Sequence, residues 1–208
     1  MANMLYQGHG SYRFVLDEGT VVYVDPFAGD GYDLPADLIF VTHEHDDHTR
    51  VDLMPHAPGC TILRAADFLK IGHAATIESH GVRATNYLAS NQYHSPKECV
   101  GLLLEFDGLR FYASGDTSIT EDMTSGTIAD LCPDYAVFPC DGFYNMNPAE
   151  ASEAAKLVGA AHSIPVHLVP VHDPGHPTIF DRATAEAFQA EGRIILEPGQ
   201  EIELTHEG

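Results

Sequence analysis

The sequence predicts an α/β fold in which two mixed β-sheets pack face to face with helices outside. Three observations point there. Short apolar segments of strand length occur in both halves of the chain, with helical segments among them rather than gathered at one end. Asp107-Gly108, set between two apolar runs, is a strong hairpin signal and argues against an all-parallel sheet. The helices must cover sheet faces, and two sheets covering each other's inner side satisfy both demands. Without repeats, low-complexity tracts or a Gly/Ser linker, residues 1–208 read as a single domain.

Taken in order, residues 11–16 alternate Tyr12, Phe14 and Leu16 on one side. Asp17-Glu18-Gly19 turns the chain, and the β-branched run 20–24 returns and ends at Asp25-Pro26. Residues 38–41 form a short buried strand leading directly to His43. Residues 61–63 are a further strand, 65–70 a helix and 82–87 an extended stretch. Residues 100–106 and 109–113 are the hairpin arms, and 135–138 another apolar strand. Asn147-Pro148-Ala149-Glu150 starts a helix: Asn147 caps, Pro148 takes the first helical position and Glu150 completes a capping box. That helix runs to Val158 and stops at Gly159. Residues 164–166 form a strand ending at His167. A last helix covers 181–189, and strands 193–196 and 201–204 flank the Pro198-Gly199 turn.

Composition narrows the partners. A formal net charge of -21 repels nucleic-acid backbones and anionic membranes, so neither is expected. No apolar run approaches the roughly 18–20 residues needed to span a bilayer. The start Met1-Ala2-Asn3-Met4-Leu5 lacks the pattern of a secretory signal, so a cytoplasmic location and a small-molecule substrate are expected, with a homo-oligomer left open. Cys60, Cys99, Cys132 and Cys140 form no Cys-x-x-Cys pair and read as free thiols.

His43-Glu44-His45-Asp46-Asp47-His48 carries the chemistry. Three imidazoles and a carboxylate within six residues suit zinc, manganese or iron, and they follow a buried strand that gives the loop a rigid base. In extended backbone His43 and His45 point the same way and can reach one ion. A turn after His45 would carry Asp47 and His48 toward a second.

At these residues the chain resembles the metallo-β-lactamase superfamily, whose hallmark is His-x-His-x-Asp-His after a strand. Further segments carry the resemblance: Val24-Asp25-Pro26-Phe27, Asn91-Gln92-Tyr93-His94-Ser95, Ser114-Gly115-Asp116-Thr117 and Ile164-Pro165-Val166-His167. Gly8-His9-Gly10-Ser11 resembles the start of one branch, which holds L-ascorbate-6-phosphate lactonase and uncharacterised metal-dependent hydrolases. The resemblance implies a four-layer αβ/βα sandwich with two divalent metals at the sheet edge, zinc first and Mn2+ or Fe2+ as alternatives. It implies His43, His45 and His94 on the first metal, Asp47, His48 and His167 on the second, and Asp116 between them. Pro165-Val166-His167 and Pro170-Val171-His172 repeat one pattern, so His172 stays open as the alternative to His167 or as a group near the substrate. His9 and His176 are candidates at the pocket, and Glu44 and Asp46 for hydrogen bonds to ligating imidazoles. Asp46, often glycine or aromatic in that branch, and Leu168, often tyrosine, depart from its pattern on the substrate side.

The expected reaction is hydrolysis of a small ester, lactone, amide or phosphodiester, with Asp47 accepting the proton of a metal-activated water. Two rival readings share the fold: a di-iron oxidoreductase and a non-catalytic metal-binding protein. Histidine at position 45 and the full ligand set speak for the hydrolase.

Overall fold

The structure, a computed structural model, describes residues 1–171 and 177–206. Its body is the expected pair of mixed sheets, each six-stranded. The strands are β1 (Asn3–Gly8), β2 (Ser11–Val15), β3 (Val21–Val24), β4 (Ala36–Val41), β5 (His56–Arg64), β6 (Thr76–Ser79), β7 (Val82–Leu88), β8 (Val100–Phe106), β9 (Leu109–Ala113), β10 (Tyr135–Pro139), β11 (His162–Val166) and β12 (Glu201–Glu203). The helices are α1 (Ala65–Leu69), α2 (Glu121–Thr124), α3 (Pro148–Val158) and α4 (Arg182–Ala187). One sheet has the order β12-β1-β2-β3-β4-β5 and the other β11-β10-β9-β8-β7-β6.

Apolar alternation sets the core between the sheets. Phe14 on β2 meets Phe106 and Phe111 of the opposite sheet at ring-centroid distances of 5.0 and 4.9 Å. Each such ring, removed from water, contributes roughly 1.5–3 kcal/mol before chain entropy is counted. A second cluster lies outside the β6–β11 sheet. There α3 buries Ala151, Ala154, Ala155 and Val158, spaced for one helical face, with Phe138 and Phe188 in the same cluster. The other outer face, around Tyr23, Ile39 and Val41, is covered by Met54 with Tyr32, Leu34, Val51 and Leu53.

Local signals set several boundaries. The Asn147 side chain accepts from Ala149 N and Glu150 N, Glu150 reaches back to Asn147 N, and Gly159 ends α3 at φ 65°. The 100–106 and 109–113 arms and their Asp-Gly turn form as read. Two expectations fail near the C-terminus. Residues 193–196 make a single bridge, Ser163 to Arg193, instead of a strand. The last helix ends at Ala187 rather than 189: Phe188 turns extended, packs near Phe138, and Arg193 Nη1 donates to the carbonyls of Glu186 and Phe188. Burial of one ring there outweighs another half-turn of helix.

The topology decides where side chains can converge. Within the first sheet β1, β3 and β4 run the same way, and within the second β7, β9, β10 and β11 do. The loops leaving the C-terminal ends of these strands begin at residues 9, 25, 42, 89, 114, 140 and 167. Loops at the carboxyl ends of strands are where open α/β sheets build ligand sites.

Candidate metal centre

The loop after β4 is held by Asp25, just past β3. Its Oδ1 accepts from Thr42 N and its Oδ2 from Thr42 Oγ1, both at 2.7 Å. His48 N donates to His45 O at 3.0 Å, which makes the turn that separates the two halves of the motif. His43, His45 and His94 then form one group whose ligand atoms all lie within 4.8 Å of one another, with His94 Nε2 and His45 Nδ1 2.9 Å apart. His9, Asp47, His48 and His167 form a second group by the same measure. The rings of His43 and His48, 4.1 Å apart, join the two.

Asp116, after β9, stands with the second group: its Oδ1 is 3.6 Å from His48 Nε2 and its Oδ2 3.3 Å from His167 Nε2. Gly115 before it has φ 65°, and a Cβ there would sit 2.7 Å from the Val100 carbonyl, so glycine lets this turn pass close to β8. The seven residues read as metal ligands thus meet at one sheet edge although they come from four separate loops. The sequence leaves His9 open as a group at the substrate or behind a metal ligand, and the structure puts it behind Asp47. It is fully buried, its Nε2 lies 3.1 Å from Asp47 Oδ2, and its ring centroid is 3.6 Å from that of His167, the two rings tilted by 43°. A carboxylate only accepts, so His9 Nε2 carries the proton and donates to Asp47.

Supports for the rings were missed or misplaced in the sequence. Asp25 Oδ2 lies 3.1 Å from His48 Nδ1, and Asp141 Oδ2 3.0 Å from His167 Nδ1. His43 Nδ1 is 3.1 Å from Thr42 Oγ1, and His94 Nδ1 is 3.0 Å from Asn91 Oδ1. Asn145 Nδ2 donates to both Asp116 Oδ2 and Asp141 Oδ2 at 2.9 Å. Glu44 does not serve an imidazole: it is exposed and accepts from Arg64 Nη1 at 2.6 Å, a cation close at hand at the end of β5. Asp46 is exposed at the cleft. His172 and His176 lie outside the described residues.

The charge balance follows from this crowding. Burial opposes charging His48, but Asp116, Asp25 and Asp47 outweigh it and push its pKa up to about 9. Burial likewise opposes charge on His167, yet Asp116, Asp141 and Asp47 hold its pKa well above the ordinary imidazole value. Burial opposes charge on Asp116, which is buried, and on Asp47, which is half-buried, yet neighbouring histidines, His167 and His48 foremost, hold both carboxyls well below the usual range. Burial, then the neighbouring His167 charge, lowers His9 to about 4 and keeps it neutral. His9, Asp25 and His167 all adopt positive φ (55°, 46° and 47°), a costly conformation for these residues that clusters at functional sites.

The donor set fits metal ions. The Nε2 atoms of His43, His48 and His167 are buried without a hydrogen-bond partner. His43 Nδ1 is bonded to Thr42 Oγ1, while the Nδ1 atoms of His48 and His167, also without a hydrogen bond, stand beside the carboxylates of Asp25 and Asp141 at ion-pair distance. An outward-facing Nε2 with Nδ1 held by an oxygen is how ligating histidines are usually oriented. Above the cluster opens a cleft of about 420 Å³ lined by Phe27, Tyr93, Tyr144 and Val171 together with Glu44, Asp46 and the metal-facing groups. No helix among the described residues is long and apolar enough to cross a membrane.

Comparison with known proteins gives the family and the fold. Residues 3–167 match the model of the beta-lactamase superfamily domain. The chain is 30% identical to a UPF0173 metal-dependent hydrolase of Korarchaeum cryptofilum, an alignment covering 98% of this chain and 100% of the relative. Two solved structures share the fold. One is Igni18, a metallo hydrolase of Ignicoccus hospitalis, with TM-score 0.70, 20% identity and 98% and 99% of the two chains covered. The other is the metallo-beta-lactamase fold protein YhfI of Bacillus subtilis, with TM-score 0.69, 17% identity and 98% and 100% covered.

Proposed function

Because the chain belongs to the metallo-β-lactamase superfamily and to its UPF0173 metal-dependent hydrolase family, we propose that it is a hydrolase with a dinuclear metal centre. The substrate is a small ester, lactone, amide or phosphodiester, and zinc is the first candidate metal because imidazole nitrogen dominates the donor set. The observation that carries the proposal is the pairing of the two groups, His43-His45-His94 and Asp47-His48-His167, around the buried Nε2 atoms of His43, His48 and His167, which make no hydrogen bond. The likeness of Gly8-His9-Gly10-Ser11 to the L-ascorbate-6-phosphate lactonase branch adds lactones to the substrates to be tried.

His43, His45 and His94 would hold one ion and Asp47, His48 and His167 the other, with Asp116 between. Two divalent ions so held supply a water ionised near neutral pH and a positive charge to polarise the oxygen under attack. Asp47 is the carboxylate placed to take the proton of an attacking water. Its side chain is 24% exposed against 6% for Asp116, and His9 holds its Oδ2, leaving Oδ1 for the proton. Asp25 and Asp141 fix the ring orientations of His48 and His167, so those rings need not reorganise as the reaction proceeds. Phe27, Tyr93 and Tyr144 wall the cleft and restrict water around the scissile bond.

The test is a panel of esters, lactones, amides and phosphodiesters offered to zinc- and manganese-loaded protein. Turnover of at least one class, abolished by chelation and by Asp47→Asn, is expected. Turnover that survives chelation, or none across the panel, contradicts the proposal.

A further inference from the structure

The cleft over the metal centre has a chemical character of its own. Its polar lining beyond the metal-facing groups is acidic, Glu44 and Asp46, and its apolar lining is largely aromatic, Phe27, Tyr93 and Tyr144. No lysine or arginine lines it among the described residues. The whole chain has only 10 such residues, and those nearest are committed: Arg64 to Glu44, and Arg50 to Asp52. Lys97 lines an adjoining hollow that shares Glu44, His45 and His94 with the cleft.

The aromatic wall is built into the same frame as the metal ligands. Asp141 accepts at Oδ1 from the backbone N–H groups of Phe143 and Tyr144, at 2.7 and 2.6 Å, while its Oδ2 faces His167. Asn91 Oδ1 accepts from Tyr93 N and His94 N, and its Nδ2 donates to Asn145 Oδ1 at 2.8 Å, tying the two loops together. Tyr93 stands with its ring 5.2 Å from that of Tyr144 and parallel to that of Phe143, and Tyr93 and Phe143 are about half exposed. Exposed rings held at fixed positions beside a reaction centre are a binding surface: they offer flat apolar area at small entropic cost, and their faces attract cations. His167, 1% exposed with an unpartnered Nε2, lies at the floor of the same cleft.

From this the geometry points to a substrate class: an uncharged or cationic molecule with an apolar, preferably aromatic group that seats on Tyr93 and Tyr144, with a carboxylate on that group disfavoured by Asp46, Glu44 being offset by Arg64. The inference rests on the hydrolase reading for the reaction, but it concerns recognition and is testable by binding alone. One carboxylate about 7 Å from a ligand charge, in water-like dielectric, discriminates by roughly threefold at low salt, and salt reduces this.

The probes are benzohydroxamate, whose hydroxamate binds metal, and its 4-carboxy and 4-aminomethyl derivatives, titrated calorimetrically into zinc-loaded protein. The expected order is 4-aminomethyl at least equal to the parent, and the parent about threefold tighter than 4-carboxy at low salt. Asp46→Asn should close that gap. Tyr93→Ala and Tyr144→Ala should weaken all three ligands by about three- to tenfold, with zinc content unchanged. Equal or tighter binding of the 4-carboxy ligand overturns the inference, as does full affinity in both tyrosine variants. If the ligands rank as expected while no ester or amide is turned over, recognition stands and the hydrolase reading fails; turnover that favours anionic substrates has the reverse meaning.

Discussion

Asp141→Asn isolates the support behind the second metal group from the ligands themselves. In the wild-type protein Asp141 Oδ2 faces His167 Nδ1 at 3.0 Å and accepts from Asn145 Nδ2 at 2.9 Å, while Oδ1 caps the loop that follows. Asparagine keeps the Oδ1 acceptor but turns Oδ2 into an NH2 group, so two donors now face a donor. His167 must lose that contact or change tautomer, and Asn145 loses the bond that positions its contact to Asp116. Loss of such a carboxylate partner typically weakens metal binding 10- to 100-fold, about 1.4–2.7 kcal/mol. The His43-His45-His94 group should keep its affinity, because its rings lean on Thr42 and Asn91. Competition against a chromophoric zinc chelator should therefore turn from two tight equivalents to one tight and one weakened. Two equivalents still bound within about twofold of wild type would refute the reasoning, and so would equal weakening of both.

Other expectations follow from the same coordinates. Gly10→Ala would place a Cβ 2.9 Å from His48 Cε1, so the ring must shift; the second metal equivalent should weaken by about tenfold while the thermal midpoint of the metal-free protein changes little, as chelator competition and calorimetry can show. Asn147→Ala removes the side chain that caps α3 and should cost about 1 kcal/mol in urea unfolding, with metal content unchanged. Metal-free protein at pH 7.5 holds protons on His48 and His167, so loading both sites should release about two protons, measured by calorimetry in buffers of different ionisation enthalpy. Because both pKa values are raised, the stability these groups give the metal-free fold is complete below about pH 6.5 and falls at higher pH, the share of His48 being lost as pH rises through about 9. A thermal midpoint of metal-free protein unaffected by pH between 6 and 10 would argue against that arrangement.

Features whose cause is local were legible in the sequence. Asn147-Pro148-Ala149-Glu150 with Gly159 marks both ends of α3, and Asp107-Gly108 marks the β8–β9 turn. The 43–48 motif is also local, so its residue types announce metal chemistry before any fold is known. What holds that motif is not local. Asp25 meets His48 across the sheet edge, and Asp141 meets His167 from a neighbouring strand; each is an ordinary acidic residue at a strand end until the topology brings it to a ring. Glu44 stood next to the imidazoles in sequence but faces Arg64, because neighbours in an extended loop point to opposite sides. Residues 193–196 carry a strand pattern, yet the chain there makes one bridge to Ser163 while Arg193 spends its side chain on the end of α4.

The most direct measurement of the central claim is anomalous diffraction at the zinc edge from crystals of zinc-loaded protein, with metal content measured on the same sample. Two peaks are expected, one among His43, His45 and His94 and one among Asp47, His48 and His167, with two equivalents in solution. A single peak, or peaks away from these groups while His43 Nε2 and His167 Nε2 remain without a ligand, would contradict the account.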